Sequence, residues 1–506
     1  MNLLNFSGSI AIPLAFSPIV YLAGRLGTHE TTLHGRSYVV RLLAALAVLA
    51  AWVPLIVSVQ AFFFEAGQGF NMNTDWLRVD GISLFMAGCV LLLGTLVILF
   101  SGSYMAGEVG EEKYYAMLLA MMGLMIGLVS ARDLFNMWVW FEAMAISSYL
   151  LVAFYREQAA SLEAGIKYLV QSATGSVLVL IGIAIVMAQT GTLGMAEITN
   201  AIAGSDVNRL ALLGAGALFM IGFGVKVALV PLHTWLPDAH SQAPSGISAM
   251  LSGVVIEIGL IAMLRALAVL SAYTPSWGIL LMAFGAVNML YGNLLALRQT
   301  LIKRLLAYSS LSHIGYILLG LGITLYSGIG MGAQGAFFHI FNHMLMKGLA
   351  FLAVGALMYG MLLQNGSHKP LRVTDLAGAA QVYPLAALAL SIALLALGGM
   401  PPLAGFMSKW QIFVAGFQTQ NIWIVLLMVF MALNSVLSLG YYAPLVNLMY
   451  RRDASPKVLA GKPLTWTLAL PLILMTLLVI VPGFLPGLMD WFTIPTAERF
   501  MQMFGR

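Results

Sequence analysis

GISLFMAGCVLLLGTLVILFSGS, residues 81 to 103, runs twenty-three residues without one charged side chain. At about 1.5 Å per residue such a helix is about 35 Å long, enough to cross a hydrocarbon core of about 30 Å. Nothing in water would cover a segment apolar on every side, so this stretch reads as a membrane span. Outward from it, similar runs lie near 9–24 and 38–59 before it, and near 115–130, 134–155, 166–190 and 210–230 after it. The series continues near 245–271, 277–297, 301–325, 333–362, 383–417, 422–450 and 467–490. The chain is therefore expected to be an all-α polytopic membrane protein of about fourteen transmembrane helices. Its composition agrees: 61% of 506 residues are hydrophobic and 8% are charged, more apolar surface than a water-soluble monomer buries. The run from Ser9 to Gly24 lacks the basic segment that precedes a secretory signal core and leads straight into further spans, so it reads as a retained first helix.

Two of these runs are interrupted. The seventh ends in Pro231 to Pro237, and the twelfth, five helices later, contains Gly398, Gly399, Pro401 and Pro402. Broken helices at matching positions are a mark of transporters built from inverted repeats, because freed backbone groups line a wet cavity. The expected organisation is a single membrane domain: helices one to three within 1–114, a first five-helix repeat over 115–271, an inverted second repeat over 277–450, and a final helix and tail over 467–506.

The net charge of +5 does not indicate nucleic acid, since the basic residues are scattered over short loops. Fifteen of them, Arg25, Arg36, Arg41, Lys113, Arg156, Lys167, Arg298, Lys303, Arg304, Lys369, Arg372, Arg451, Arg452, Lys457 and Lys462, fall on alternate loops of one side. Arg78, Arg132, Arg209, Arg265, Arg499 and Arg506 fall on the other. The positive-inside rule places the first side in the cytoplasm and both termini outside. A single cysteine, Cys89, excludes an internal disulfide and any iron–sulfur cluster or four-cysteine zinc site held by this chain alone.

Lys226, Lys347 and Lys409 lie inside spans. A charge at the centre of a bilayer costs about 2.5 to 3.5 kcal/mol on insertion scales, so each calls for a reason. Glu142 sits in MWVWFEAM, where burial disfavours the carboxylate and a nearby cation favours it; Lys226, shortly before the seventh break, is the expected partner. Such a pair either exchanges a proton or forms a static bridge that pins two helices. His339, His343 and Lys347 recur every four residues and so share one helix face. With His313 on the preceding helix and Lys409 beyond Pro402, they read as a proton relay, for which imidazole is suited near neutral pH. Glu257, in VIEIG on the eighth helix, is another buried charge, its neighbour either Lys226 or one of the later histidines. His339 and His343 have the spacing of half a zinc site, but HIFNH lacks the glutamate of HExxH and no third ligand is indicated. GMGAQG at 330–335 matches a dinucleotide loop only in letters, since it joins two membrane helices and follows no strand.

The segments KVALVPLHTWLPDAH at 226–240, with Ala243–Pro244, LAYSSLSHIGY from Leu306, HIFNHMLMKG from His339 and GMPPLAGFMSKW from Gly399 resemble the antiporter-like subunits of respiratory complex I, of Mrp sodium/proton antiporters and of membrane-bound hydrogenases. The resemblance runs from about the fourth helix to the thirteenth. It implies fourteen helices with breaks in helices seven and twelve, and identifies Glu142, Lys226 and Lys409 with the family's ionisable residues of helices five, seven and twelve. His339, His343 and Lys347 match the helix-eleven set of some members. One position departs: many relatives carry lysine in a GVLLKLG-like segment of helix eight where this chain has GVVIEIG with Glu257. The carboxyl tunes Lys226, turns the site toward sodium, or interrupts conduction in one half; the sequence leaves the three open. The chain also stops soon after helix fourteen, so the long lateral helix of one such subunit is not expected. The function implied is a proton-translocating subunit of a complex I-like NAD(P)H:quinone oxidoreductase, with an Mrp-type sodium/proton antiporter subunit or an ion-pumping hydrogenase subunit as alternatives. No cofactor is expected in this chain. Flavin and iron–sulfur clusters are expected in partners, namely a peripheral redox module attached to other membrane subunits, in the bacterial cytoplasmic membrane.

Overall fold

A computed structural model describes residues 6–26, 33–64, 74, 76–204, 207–363 and 368–506, with backbone alone at 33–37, 64 and 273–275. Among these residues the regular structure is helical. Thirteen helices are long and apolar enough to cross a membrane, and a fourteenth crossing is made by two half-helices. The spans are α1 (Phe6–Arg25), α2 (Tyr38–Phe63), α3 (Gly81–Tyr104), α4 (Glu111–Val129), α5 (Leu134–Val152), α6 (Ala159–Thr190) and α7 (Arg209–Val227). They continue as α8 (Ser245–Ala268), α9 (Ser276–Ala296), α10 (Ile302–Ser327) and α11 (Gly330–Met361). Next come the halves α12a (Pro384–Gly398) and α12b (Ala404–Gln418), then α13 (Ile422–Met449) and α14 (Trp466–Phe484). Fourteen crossings agree with the hydropathy reading. Short helices at Met195–Gly204, Trp235–Gln242 and Asp490–Met503 lie between or after the spans.

Both interruptions are present. α7 stops at Val227, and irregular backbone with Ala228 at φ 58° leads to the short helix beginning at Trp235. α12a ends on Gly399 at φ 79°, the left-handed geometry that favours glycine at a helix end. A Cβ on Gly399 would also stand 3.0 Å from Ser435 Oγ and 3.3 Å from Lys409 Nζ.

The chain forms two compact units, Met1–Val227 with Val254–Ala272, and Ala228–Gly253 with Tyr273–Arg506. In the first, α3 begins at Asp80, whose Oδ1 accepts from Ser83 N at 3.0 Å and so satisfies a free helix donor. The same carboxylate receives both terminal nitrogens of Arg265 from α8, at 2.7 and 3.1 Å, while Arg265 also donates to Ser83 Oγ at 3.0 Å. In the second unit, Gly278, Gly285 and Gly292 recur every seven residues along α9. A Cβ on any of them would meet α10 backbone within 2.8 Å, so their spacing lets two helices touch along their main chains. α10 and α11 are 94% buried over their most apolar windows and form the core of this unit, whereas α13 is 28% buried.

Two of the charges assigned to loops are inside. Arg265 lies within α8 at 1% exposure and Lys303, in the first turn of α10, at 4%. Hydropathy cannot see this, because a guanidinium or ammonium near a span end looks alike whether it reaches water or folds back onto a partner. The side chain of Arg36, another of the fifteen, lies outside the described residues.

Removing one member of a buried ion pair strands the other, at about 3 kcal/mol or more. Arg265→Ala is expected to lower the apparent melting temperature in detergent clearly, whereas Arg156→Ala, which removes an exposed contact to Glu157, leaves it unchanged. Equal melting of the two variants would show that the Arg265–Asp80 pair does not hold α8 to α3.

Candidate functional site

In the first unit Lys226 sits in the last turn of α7 at 1% exposure. Its amine donates to Tyr168 OH on α6 at 2.5 Å and to Ser148 Oγ on α5 at 3.1 Å, and the two hydroxyls lie 3.0 Å apart. The amine also stands 4.7 Å from the Tyr168 ring centroid, within cation–π range. The pairing expected with Glu142 is not a contact. Ser148 is six residues further along α5, about 240° round the helix, so turning Ser148 to Lys226 turns Glu142 aside. Glu142 is only partly buried and acts on Lys226 through space. A static Glu–Lys bridge is therefore not what holds these helices.

Glu257 is fully buried, and its place on α8 answers which neighbour it faces. Gly259 is the residue of α8 that meets Lys226, where an added Cβ would touch Cγ at 3.0 Å. Two residues along a helix is a turn of about 200°, so Glu257 points away from that contact. Arg265, eight residues on and about 80° round from Glu257, binds the head of α3. Cys89 on α3 lies near Glu257.

In the second unit the expected stripe on α11 exists, with His339, His343 and Lys347 all fully buried. His313 of α10 joins it: its Nδ1 lies 3.0 Å from Nε2 of His339, with the rings 11° from parallel. The His343 ring lies 5.1 Å from that of His313. Nδ1 of His339 is 2.8 Å from Ser408 Oγ on α12b, and Ser408 reaches Ala404 O at 3.3 Å. Each neutral imidazole has one donor and one acceptor nitrogen. The row His313–His339–Ser408 therefore has two arrangements, one donating from His313 toward Ser408 and one donating from Ser408 toward His313, and both satisfy the His–His and His–Ser contacts.

Lys347 donates to Leu306 O at 2.7 Å and to Ser309 Oγ, both on α10. Lys409, 6% exposed on α12b, donates to Leu397 O at 2.9 Å and to Ser435 Oγ at 3.0 Å, while Ser435 donates to Gly398 O at 3.1 Å. Leu397 and Gly398 end α12a, so the break supplies carbonyls that a continuous helix would have used internally, at the end where the helix dipole favours a cation. The amine also stands 4.4 Å from the Tyr316 ring centroid. The sequence pattern did not disclose Ser148, Tyr168, Ser309, Ser408 or Ser435, because hydroxyls are common in membrane helices and carry no charge to betray them.

Two more buried bases also escaped the sequence reading. Lys303 donates to Ala243 O at 2.9 Å. His240, in the PDAH segment, is fully buried with its ring 4.7 Å from that of Phe351, and neither ring nitrogen has a hydrogen-bond partner among the described residues. Among those residues no group of three or more His, Cys, Asp or Glu is placed to hold a metal ion.

The chain has counterparts among known proteins. Residues 131–438 match the family described as NADH:quinone oxidoreductase/Mrp antiporter, TM, and residues 65–115 match the N-terminal region of chain 5 of NADH-ubiquinone oxidoreductase (complex I). The chain is 33% identical over 446 residues to NADH-quinone oxidoreductase subunit N of Trichlorobacter lovleyi, covering 87% of this chain and 88% of that one. It is 31% identical over 420 residues to F(420)H(2) dehydrogenase subunit N of Methanosarcina mazei, covering 81% and 83%. A chain of the membrane-bound sulfane sulfur reductase, an archaeal respiratory membrane complex, superposes with a TM-score of 0.82 at 27% identity over 98% of both chains. With its helix breaks and buried bases in place, this chain belongs to the NADH:quinone oxidoreductase/Mrp antiporter family of membrane subunits.

Proposed function

We propose that this chain is a proton-translocating, antiporter-like subunit of a complex I-like NAD(P)H:quinone oxidoreductase. The observation that carries the reading is that Lys226, Lys347 and Lys409 are buried and, among the described residues, hydrogen-bonded only to neutral oxygens. A lysine tied to a carboxylate is held charged. A lysine facing hydroxyls and carbonyls keeps partners in either state, because a hydroxyl that accepts from the ammonium can donate to the neutral amine. In the first unit Tyr168 and Ser148 do this for Lys226; in the second, Ser309 and Ser435 do it for Lys347 and Lys409. The reacting event is movement of a proton on and off an amine.

In this mechanism Glu142 sets the charge felt by Lys226, and a change reaching it from the redox side alters the affinity of Lys226 for its proton. The second unit receives a proton on its histidine row and yields it at Lys409. The eight residues Glu142, Lys226, Glu257, His313, His339, His343, Lys347 and Lys409 form the proposed ion-handling set, with His240 and Lys303 added by the geometry. Protons are favoured over sodium in the second unit because its buried ionisable side chains are amines and imidazoles, which repel or release a hard cation. Glu257 is the one feature that favours a sodium-handling, Mrp-like reading, and it is confined to the first unit.

Electron transfer belongs to partners in this reading, a peripheral module with flavin and iron–sulfur clusters together with other membrane subunits. The relatives' names give NADH and F(420)H(2) as electron donors and sulfane sulfur as a group that is reduced, which suits a pump that is indifferent to the redox couple driving it. The distribution of basic residues supports both termini lying on the outer side of a bacterial cytoplasmic membrane.

Purification of the tagged chain from native membranes, with mass spectrometry of what accompanies it, tests the assignment. Flavin and iron–sulfur proteins are expected; small membrane proteins alone would instead make it an antiporter subunit. Lys226→Ala is expected to abolish coupled proton movement, read by dye quenching in inverted vesicles, while native gels show the complex assembled; pumping at the wild-type rate would remove Lys226 from the path. Tyr168→Phe keeps the ring and deletes the hydroxyl, and is expected to slow pumping about tenfold, equal to about 1.4 kcal/mol. An unchanged rate would mean that the hydroxyl takes no part.

A further inference from the structure

The second unit has a cavity of about 310 Å³ at the end of the helices where α9 turns into α10 and α13 ends. Its lining includes Leu297, Gln299, Tyr441, Pro444, Leu445 and Arg451, which makes the cavity apolar along α13 and basic at its mouth. None of the residues proposed to handle ions takes part.

The walls are held by the backbone. Ile302 N donates to Leu371 O at 3.1 Å and Val373 N to Thr300 O at 2.9 Å, tying the α11–α12a loop to the start of α10. Gly378 N donates to Leu448 O at 3.1 Å, and Gln381 Nε2 donates to the carbonyls of Arg451 and Arg452 at 2.9 Å each. The floor is equally fixed, since Tyr441 OH donates to Asn293 Oδ1 at 2.9 Å and Asn293 donates to Asn434 O at 2.9 Å. Such a cavity is preformed rather than opened by its occupant.

Arg451 is the charged residue of this lining; it is exposed, and among the described residues it forms no ion pair with an acidic side chain. Leu297, 42% exposed beside the mouth, and the exposed Pro444 carry the apolar lining out onto the membrane-facing side of α13. A basic mouth at a span end that opens onto an apolar wall matches one chemistry, an anionic head carrying acyl chains. We propose that this cavity is a binding site for one anionic phospholipid. Its phosphodiester lies against the guanidinium of Arg451, which can engage two phosphate oxygens at once, and its acyl chains follow Leu297, Pro444 and Leu445 into the bilayer.

The test uses the full chain purified in mild detergent, supplied with phosphatidylglycerol or phosphatidylcholine of the same acyl composition, and reads retained lipid by native mass spectrometry. Phosphatidylglycerol is expected to be retained at least fivefold over phosphatidylcholine, with no loss when inorganic phosphate is added. Arg451→Gln, at an exposed position, is expected to cut that preference at least threefold. Gly440→Leu fills the cavity, since the added Cβ meets only Leu297 at 3.5 Å, and is expected to cut retention of both lipids. Arg156→Gln, in the first unit, leaves the preference intact. Equal retention of the two lipids, an unchanged preference in Arg451→Gln, or displacement by phosphate alone would each overturn the proposal. The readout is independent of ion movement, so its failure leaves the proton-pump reading standing.

Discussion

A lysine ammonium held at membrane depth must find oxygen, and the fold supplies it by breaking its own helices and by placing hydroxyls opposite. At Lys409 the dependence is most direct. α12a stops at Gly398, its last carbonyls are left without intrahelical donors, and the amine of the following half-helix takes one while Ser435 takes another. Insertion cost and helix break become one constraint here. Without the break the carbonyls would be consumed internally, and without the lysine Leu397 O would lose the donor that the break obliges it to find. Gly399 belongs to the same constraint, since its positive φ turns the chain and its missing Cβ leaves room for the amine.

The first unit solves the problem with a smaller set. Lys226 ends α7 but draws its partners from side chains on α5 and α6, so two helices must stay in register for the amine to be satisfied. α8 contributes through Gly259, which allows it to lie against the lysine stem. Its other face carries Arg265 toward α3, where the Arg265–Asp80 pair ties it down. A helix with one face on the Lys226 stem and the other anchored by a buried ion pair keeps the site's geometry separate from the load that holds the unit together.

Most of the architecture was legible in the sequence, because a membrane span announces itself by length and by lack of charge. The two interruptions were legible from Gly398–Gly399, Pro401–Pro402 and the proline-flanked segment after Lys226. The charged residues inside spans were legible as well, since a lysine in a run of leucines has no innocent spelling. Their partners were not. Ser148, Tyr168, Ser309 and Ser435 are ordinary residues of membrane helices, and only the packing of one helix on another selects them. Arg265 and Lys303 were placed on the wrong side of the boundary between loop and core, because a long side chain at a helix end can reach either way. Glu142 and Lys226 were joined on charge alone, and the turn of α5 separates them.

The row from His313 through His339 to Ser408 has a further consequence. A proton that hops along it does not leave the row as it found it: every donor has become an acceptor, and the row is polarised backwards. The next charge travelling the same way is refused until all three groups have been turned over again. The imidazoles are fixed nearly parallel within a buried core, so that resetting cannot rely on free rotation. On the proposed proton path such a row would work as a turnstile rather than a pipe, admitting one passenger per reset.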